Sequence, residues 1–95
     1  MDFSNYTIRK ALMTLTVKNI LLNIGKPILE KVTSKLYDKY RCHIPDCFDH
    51  PEYLKNVLQE IFGDSCLVVI LSINNELDEF AHHEGMNEFL QVISR

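Results

Sequence analysis

The sequence predicts an all-α fold: a compact bundle of four main helices plus a short C-terminal helix, formed by residues 1–95 as a single domain. Apolar residues recur at helical spacing along the chain, and glycine or proline separates one apolar segment from the next. Residues 50–65 contain a whole helix with both of its ends marked. The composition, 46% hydrophobic and 24% charged with three Gly and three Pro, is that of an ordinary globular protein without a disordered linker.

The first helix is expected over residues 5–24, with Ser4 or Asn5 as its cap and Gly25 as its end. Its apolar side is wide, and β-branched residues within 12–17 weaken its helical propensity. The predicted apolar stripe consists of Ile8, Leu12, Leu15, Val17, Ile20, Leu21 and Ile24.

The second helix is expected from Pro27 to about Tyr40, because proline suits a first helical turn. Its buried side is predicted to contain Ile28, Leu29, Val32, Leu36 and Tyr40, and its basic side Lys31, Lys35 and Lys39. Residues 41–50 then form the longest irregular connection, since Pro45 and Pro51 each disfavour helix just before them. We expect Ile44 and Phe48 to pack under the bundle and hold this connection.

The third helix begins at Pro51, whose ring presets a helical φ. Its predicted buried face consists of Leu54, Val57, Leu58, Ile61 and Phe62. Gly63 follows and is the residue best able to take the left-handed conformation that closes a helix. Asp64 and Ser65 are expected to cap the next helix directly.

The fourth helix is expected over residues 65–80, with Cys66, Val69, Ile70, Ile73, Leu77 and Phe80 on one stripe. Leu67, Val68 and Leu71 widen this stripe, so we expect the first two turns to be buried nearly all round. A β-strand over residues 66–73 is the competing interpretation, because Val-Val-Ile is a strand-like run. Gly85 then breaks the chain, and Met86, Phe89, Leu90 and Ile93 predict the short fifth helix.

Charge is distributed unevenly along the chain. Residues 1–41 contain eight Lys or Arg and three acids, a balance of +5, and residues 42–95 contain two and ten, a balance of −8. The basic residues are spread along two helices without a compact run, so we expect oppositely charged helices to attract within the monomer or across a dimer. DNA or RNA binding is the alternative, but the acidic half would repel phosphate, and we expect no nucleic-acid partner.

Cys42, His43, Cys47 and His50 are the best candidates for metal ligands, because all suit zinc and lie within nine residues. Structural zinc sites usually draw their ligands from two separated pairs, whereas four residues lie between Cys42 and Cys47 and no Cys-x-x-Cys motif is present. We therefore expect small, partly buried cysteines and a His50 near a helix N-terminus. A metal or small-ligand sensor that uses residues 42–50 remains the alternative.

Signatures of catalysis are missing from the sequence, which has no glycine-rich phosphate loop, nucleophile elbow, HExxH helix or EF-hand loop. We therefore expect neither an enzyme nor a cofactor. His82 and His83 are expected in a solvated turn rather than in a metal site or a pH switch. Cys66 is expected in the core, and Asp46, Asp49 and Glu52 in capping roles beside the third helix.

The chain begins without a basic region before an apolar core, so we expect no signal peptide. The longest purely apolar run, residues 66–71, is much shorter than the ~20 residues that cross a bilayer. Three cysteines are an odd number, whereas a secreted disulfide scaffold favours an even one. We expect a cytoplasmic protein with reduced thiols and no membrane partner.

Residues 18–80, about two thirds of the chain, carry a recognisable order of apolar residues, tyrosines and turns. The residues concerned are Ile24-Gly25, Ile28, Val32, Leu36, Tyr37, Tyr40, His50-Pro51-Glu52, Leu54, Leu58, Ile61-Phe62-Gly63, Ile70, Ile73 and Leu77. This order resembles the Nitrosopumilus output domain family, fifth type, a family of small archaeal helical modules. The resemblance implies a cytoplasmic regulatory or interaction module without a catalytic residue. Cys42, Cys47 and the acidic stretch after Leu77 lie outside the pattern.

Taken together, these features predict a regulatory domain that works as a homodimer and presents helix faces to a protein partner. The broad apolar surfaces of the first and fourth helices are the expected region of self-association. Within them we predict Leu21, Leu67 and Leu71 as interface residues.

Overall fold

Five α-helices make up most of the computed structural model, which describes residues 2–80 and 86–94. They are α1 (Asp2–Ile24), α2 (Lys26–Tyr40), α3 (Pro51–Phe62), α4 (Cys66–Leu77) and α5 (Met86–Ser94). Short 3-10 turns cover Ile44–Phe48, Gly63–Ser65 and Asp78–Phe80. None of the described residues belongs to a strand, so the all-α prediction is confirmed and the competing strand at 66–73 is excluded.

Each helix contributes side chains to one buried cluster. Its members are Met13, Val17 and Leu21 of α1; Val32 and Leu36 of α2; Leu54, Val57 and Leu58 of α3; Cys66, Val69, Ile70, Ile73 and Leu77 of α4; Met86, Phe89, Leu90 and Ile93 of α5; and Cys42, Ile44, Cys47 and Phe48 of the connection. The helix α3 contacts α2, α4 and α5, whereas α1 packs against α2, α4 and the turn Ile44–Phe48. Burial of Ile44 and Phe48 therefore holds the 41–50 connection under the bundle, as predicted.

Glycine separates α3 from α4 as the sequence predicts. Gly63 has φ 58° and ψ −128°, and its N–H donates to the carbonyl of Gln59. The predicted capping of α4 is wrong, since Ser65 makes no side-chain cap hydrogen bond and the 3-10 turn Gly63–Ser65 leads directly into the helix. A continuous turn keeps Ser65 in a helical conformation, with φ −70° and ψ −7°, whereas a capping residue usually has an extended one.

The predicted buried side of α1 is partly wrong. Met13, Val17 and Leu21 face the core, but Ile8 and Leu15 are exposed on the other side of the helix. Both sides of α1 carry apolar residues at helical spacing. The spacing is therefore compatible with burial of either side and does not predict which one faces the core.

The expectation that α4 is buried nearly all round in its first two turns is also wrong. Its predicted core stripe is buried from Cys66 to Leu77, but Leu67, Val68 and Leu71 lie exposed on the opposite side. A helix at the edge of a bundle covers its neighbours with one face only, and apolar composition alone does not say whether a partner covers the other.

By length and composition alone, the 30-residue segment Pro51–Phe80 could cross a membrane. It contains an 18-residue stretch with a mean hydropathy of 1.5. Gly63 divides this segment into α3 and α4, which have 12 residues each. A 12-residue helix is about 18 Å long, whereas a bilayer core is about 30 Å thick. Neither helix alone reaches across.

Candidate functional site

Three large apolar side chains form a row along the outside of α1. Ile8, Leu15 and Leu22 are between 49% and 59% exposed and lie seven residues apart, which brings them onto one side of the helix after every two turns. We call these three residues the α1 stripe. Met13 and Val17 point the opposite way into the core, so the stripe is not an extension of the buried face.

A second apolar group lies on the outside of α4. Leu67, Val68 and Leu71 are 60–66% exposed and occupy adjacent positions of one helical face. We call these three residues the α4 patch. The helices α1 and α4 pack against each other, so the stripe and the patch belong to neighbouring elements. Exposed apolar groups of this size mark interaction surfaces more often than isolated exposed leucines do.

The predicted interface residues divide into two groups. Leu67 and Leu71 lie in the α4 patch, where a partner can reach them, whereas Leu21 is 0% exposed and belongs to the core of the monomer. Leu21 is therefore not available to a partner in this structure. Sequence reasoning missed Ile8, Leu15 and Leu22 as a surface group, although their seven-residue spacing was a usable signal.

Charged residues of opposite sign accompany the two apolar groups. Lys18 lies on α1 between Leu15 and Leu22, and Lys26 begins α2 four residues after Leu22. Asp64 and Asp78 lie seven residues before and after Leu71. All four charged residues are exposed, and none joins an ion pair with another side chain of residues 6–80 or 86–94. Glu30 shares the groove beside Leu22 with the two lysines, and Lys55 lies with Asp64 beside Leu67, so each apolar group has neighbours of both signs.

Other charges are paired inside the monomer, as the uneven charge distribution predicts. Lys10 Nζ lies 3.7 Å from Asp49 Oδ2, and Lys35 Nζ lies 3.4 Å from Glu60 Oε1. Lys39 also donates to Glu60, which lowers the pKa of the Glu60 carboxyl and raises the pKa of Lys39. These pairs join α1 to the connection and α2 to α3, but each is solvent-accessible and contributes little to stability.

The four candidate metal ligands are not brought together. Cys42 and Cys47 are buried, whereas His43 is exposed and stacks on Tyr37, and His50 is exposed and stacks on Tyr53. Nowhere in residues 2–80 and 86–94 do three or more His, Cys, Asp or Glu side chains converge in a way that could hold a metal ion. His43 and His50 instead each stack on a tyrosine ring close to them in sequence.

Burial also determines the chemistry of the cysteines. Desolvation raises the pKa of the Cys42, Cys47 and Cys66 thiols, most strongly for Cys47. The nearby carboxylate of Asp46 acts in the same direction on Cys42 and Cys47. A reactive cysteine needs a lowered pKa and solvent access, and these thiols have neither. All three are free, and Cys66 lies in the core as predicted.

The carboxylates near α3 hold the connection in place. Asp46 Oδ2 accepts the backbone N–H of His43 at 2.9 Å, which caps the 3-10 turn Ile44–Phe48. The Asp49 carboxylate accepts the hydroxyl of Tyr6 at 2.6 Å and so ties the turn to the start of α1. Asp46 therefore caps the 3-10 turn and not α3 as predicted, and Asp49 serves a tertiary contact. The predictions for His82 and His83 lie outside the described residues.

An open groove of about 800 Å³ lies between α1, α2 and the turn Ile44–Phe48. Its walls are Lys18, Leu22, Lys26, Leu29, Glu30, Thr33, Ser34, His43, Ile44 and Pro45. The 41–50 connection therefore contributes one wall of a mainly apolar groove, which also contains Lys18 of α1 and Lys26 of α2.

Comparison of the chain with protein-family models, with curated proteins and with solved structures found no match.

Proposed function

We propose that this chain is a non-enzymatic regulatory module of archaeal signal transduction, which acts as a cytoplasmic homodimer and binds proteins through helix faces. The observation that carries the proposal is the pair of exposed apolar groups, the α1 stripe and the α4 patch. The resemblance of residues 18–80 to the Nitrosopumilus output domains supports the regulatory role.

The apolar groups favour binding over catalysis for a physical reason. Water around six large exposed apolar side chains is released when a partner covers them, and this release is the main favourable term in protein association. The buried, unreactive thiols and the separated side chains of His43 and His50 supply no comparable support for a reaction. A short chain also gains stability from association, because it buries less of its own surface than a long one.

The direct test is the molar mass in solution, measured by size-exclusion chromatography with light scattering. We expect wild type at about twice the monomer mass of 11.1 kDa, and Leu71→Glu at 11.1 kDa with an unchanged circular dichroism spectrum. Gln91→Glu, an exposed change on α5, is the matched control and should remain dimeric. A monomeric wild type, or a Leu71→Glu variant with the wild-type mass, would contradict the proposal.

The groove between α1 and α2 favours a second candidate function, the binding of a small apolar ligand that carries a negative charge. Apolar walls would hold its hydrocarbon part, and Lys18 or Lys26 would pair with its anionic end. Calorimetric titration with decanoate tests this function. Heat that disappears in a Lys18→Ala/Lys26→Ala variant would support it, and the absence of heat at millimolar decanoate would contradict it.

A further inference from the structure

A second open cavity lies between the start of α1, the 41–50 connection and α5, and it shares no lining residue with the groove beside α2. Its volume of about 430 Å³ is within the range of small-molecule sites. One wall is aromatic, since the rings of Phe48 and Phe89 lie 6.2 Å apart and Tyr6 meets Phe48 edge-on at 5.7 Å. The lining residues are Tyr6, Arg9, Phe48, Asp49, Pro51, Glu88, Phe89 and Val92.

Arg9 lines this cavity without making a hydrogen bond to the rest of the protein. Its Nε atom is buried and has no hydrogen-bond partner among residues 6–80 and 86–94, and no ion pair of these residues includes Arg9. A guanidinium has five N–H donors in a fixed fork, which matches the two oxygens of a carboxylate. An unsatisfied buried donor costs free energy, so a carboxylate at this position gains from donors that are already partly removed from water.

The two carboxylates of the cavity differ in their partners. Asp49 accepts the hydroxyl of Tyr6 at 2.6 Å and lies 3.7 Å from Lys10 Nζ, so its charge is already compensated within the protein. Glu88, in the first turn of α5, is exposed and forms no ion pair with another side chain of residues 6–80 and 86–94. The charged groups of Arg9 and Glu88 do not come within 4.0 Å of each other. The cavity therefore has one unpaired positive group and one unpaired negative group beside an aromatic wall.

We infer that this cavity binds a small zwitterion with an apolar side chain, the chemistry of a free amino acid or of a dipeptide. Arg9 donates to the carboxylate of the ligand, and Glu88 accepts from its ammonium group. The apolar side chain packs against Phe48 and Phe89. A ligand with only one of the two charges would leave either Arg9 or Glu88 unpaired. The inference goes beyond the proposed function and does not depend on the homodimer, because no residue of the α1 stripe or the α4 patch lines the cavity.

The test is a titration of the ¹⁵N-labelled protein with L-leucine and with L-leucyl-L-leucine, followed through the amide chemical shifts. We expect saturable shifts at Phe48 and Phe89, and the ligand with the lower dissociation constant distinguishes an amino acid from a dipeptide. Arg9→Gln and Glu88→Gln should each raise that constant roughly tenfold, because each removes a charge-assisted contact. Glu76→Gln, an exposed change on α4, is the matched control and should bind as wild type. Circular dichroism should show that Arg9→Gln is folded, since the change removes no hydrogen bond to residues 6–80 or 86–94.

Analogues of the tighter ligand test the zwitterion itself. Its amide lacks the carboxylate and its N-acetyl derivative lacks the ammonium group, so each should bind roughly tenfold more weakly. If either analogue binds as tightly as the parent, one charge is sufficient and the inference is overturned. The absence of saturable shifts at millimolar ligand, or binding that Arg9→Gln leaves unchanged, would also overturn it. Leu71→Glu should bind as wild type, so a monomeric protein that still binds the ligand would refute the proposed homodimer and not this site.

Discussion

Leu71 and Ile73 lie two residues apart on α4 and face opposite sides of it, with Leu71 60% exposed and Ile73 fully buried. Two residues correspond to about 200° around a helix, so adjacent apolar positions of similar size lie in different environments. This pair separates the two roles of an apolar side chain in α4, as part of the core or as part of a surface for a partner.

Truncation of the two side chains should therefore have unequal effects on the free energy of unfolding. Ile73→Ala should lower it by about 2–4 kcal/mol, because the change leaves a cavity in the packed core. Leu71→Ala should change the unfolding free energy of the monomer by less than about 0.5 kcal/mol, because its side chain is largely in water. Urea unfolding at a concentration where the protein is monomeric measures both. Equal losses for the two variants would contradict the assigned faces of α4.

Replacement of Gly63 by alanine should destabilise the protein through backbone strain alone. Its φ of 58° is one that residues with a Cβ rarely adopt, whereas an added Cβ would meet no atom within 4 Å. We expect a loss of about 1–3 kcal/mol, measured by thermal or urea unfolding. Gly25→Ala is the control, since φ of 161° is extended backbone and its Cβ would meet only Pro27 Cδ at 3.8 Å. A Gly25→Ala loss as large as that of Gly63→Ala would refute this explanation.

The sequence predicts where the helices lie along the chain better than it predicts which side of each helix is buried. Pro51, Gly63 and the spacing of Leu54 and Leu58 mark α3 because local backbone chemistry and one clear apolar face agree. In α1 and α4 two opposite faces are apolar, and only tertiary packing decides which one is inside. The sequence therefore predicts Leu21 at an interface, whereas the packing of α1 buries it.

The candidate metal site illustrates another limit of sequence reasoning. Cys42, His43, Cys47 and His50 are close in sequence, but their final directions depend on the 3-10 turn and on the neighbouring rings. His43 stacks on Tyr37 only because the chain turns back after α2, whereas His50 stacks on Tyr53, three residues further along at the start of α3.

Stability should fall as pH rises above about 9, because burial raises the pKa of Cys47 in the folded state. Above the pKa of the unfolded thiol, the unfolded chain ionises Cys47 while the folded chain keeps it protonated. Ionisation therefore favours the unfolded state, and the stability present at lower pH is lost as pH rises. The slope for one such group is about 1.4 kcal/mol per pH unit. Urea unfolding of wild type and Cys47→Ala between pH 8 and about 10.5, under reducing conditions, measures it. If the free energy of unfolding changes with pH by the same amount in both proteins, Cys47 does not contribute to the pH dependence.

Tyr6 should ionise at a higher pH than an ordinary tyrosine. Its hydroxyl donates a hydrogen bond to the Asp49 carboxylate at 2.6 Å, and this bond raises the pKa of Tyr6 by stabilising the protonated form. The absorbance change of phenolate formation, taken as the difference between wild type and Tyr6→Phe, should have its midpoint above pH 10. In an Asp49→Asn background the midpoint should move down. If the Tyr6 midpoint is the same with and without the Asp49→Asn change, the result would contradict the observed contact.

The central claim is that the outer faces of α1 and α4 associate two copies of this chain. Sedimentation equilibrium of wild type beside Leu71→Glu tests it most directly. The account predicts a mass of about twice 11.1 kDa for wild type and 11.1 kDa for the folded variant. A wild-type protein that stays at 11.1 kDa up to the highest soluble concentration would contradict it.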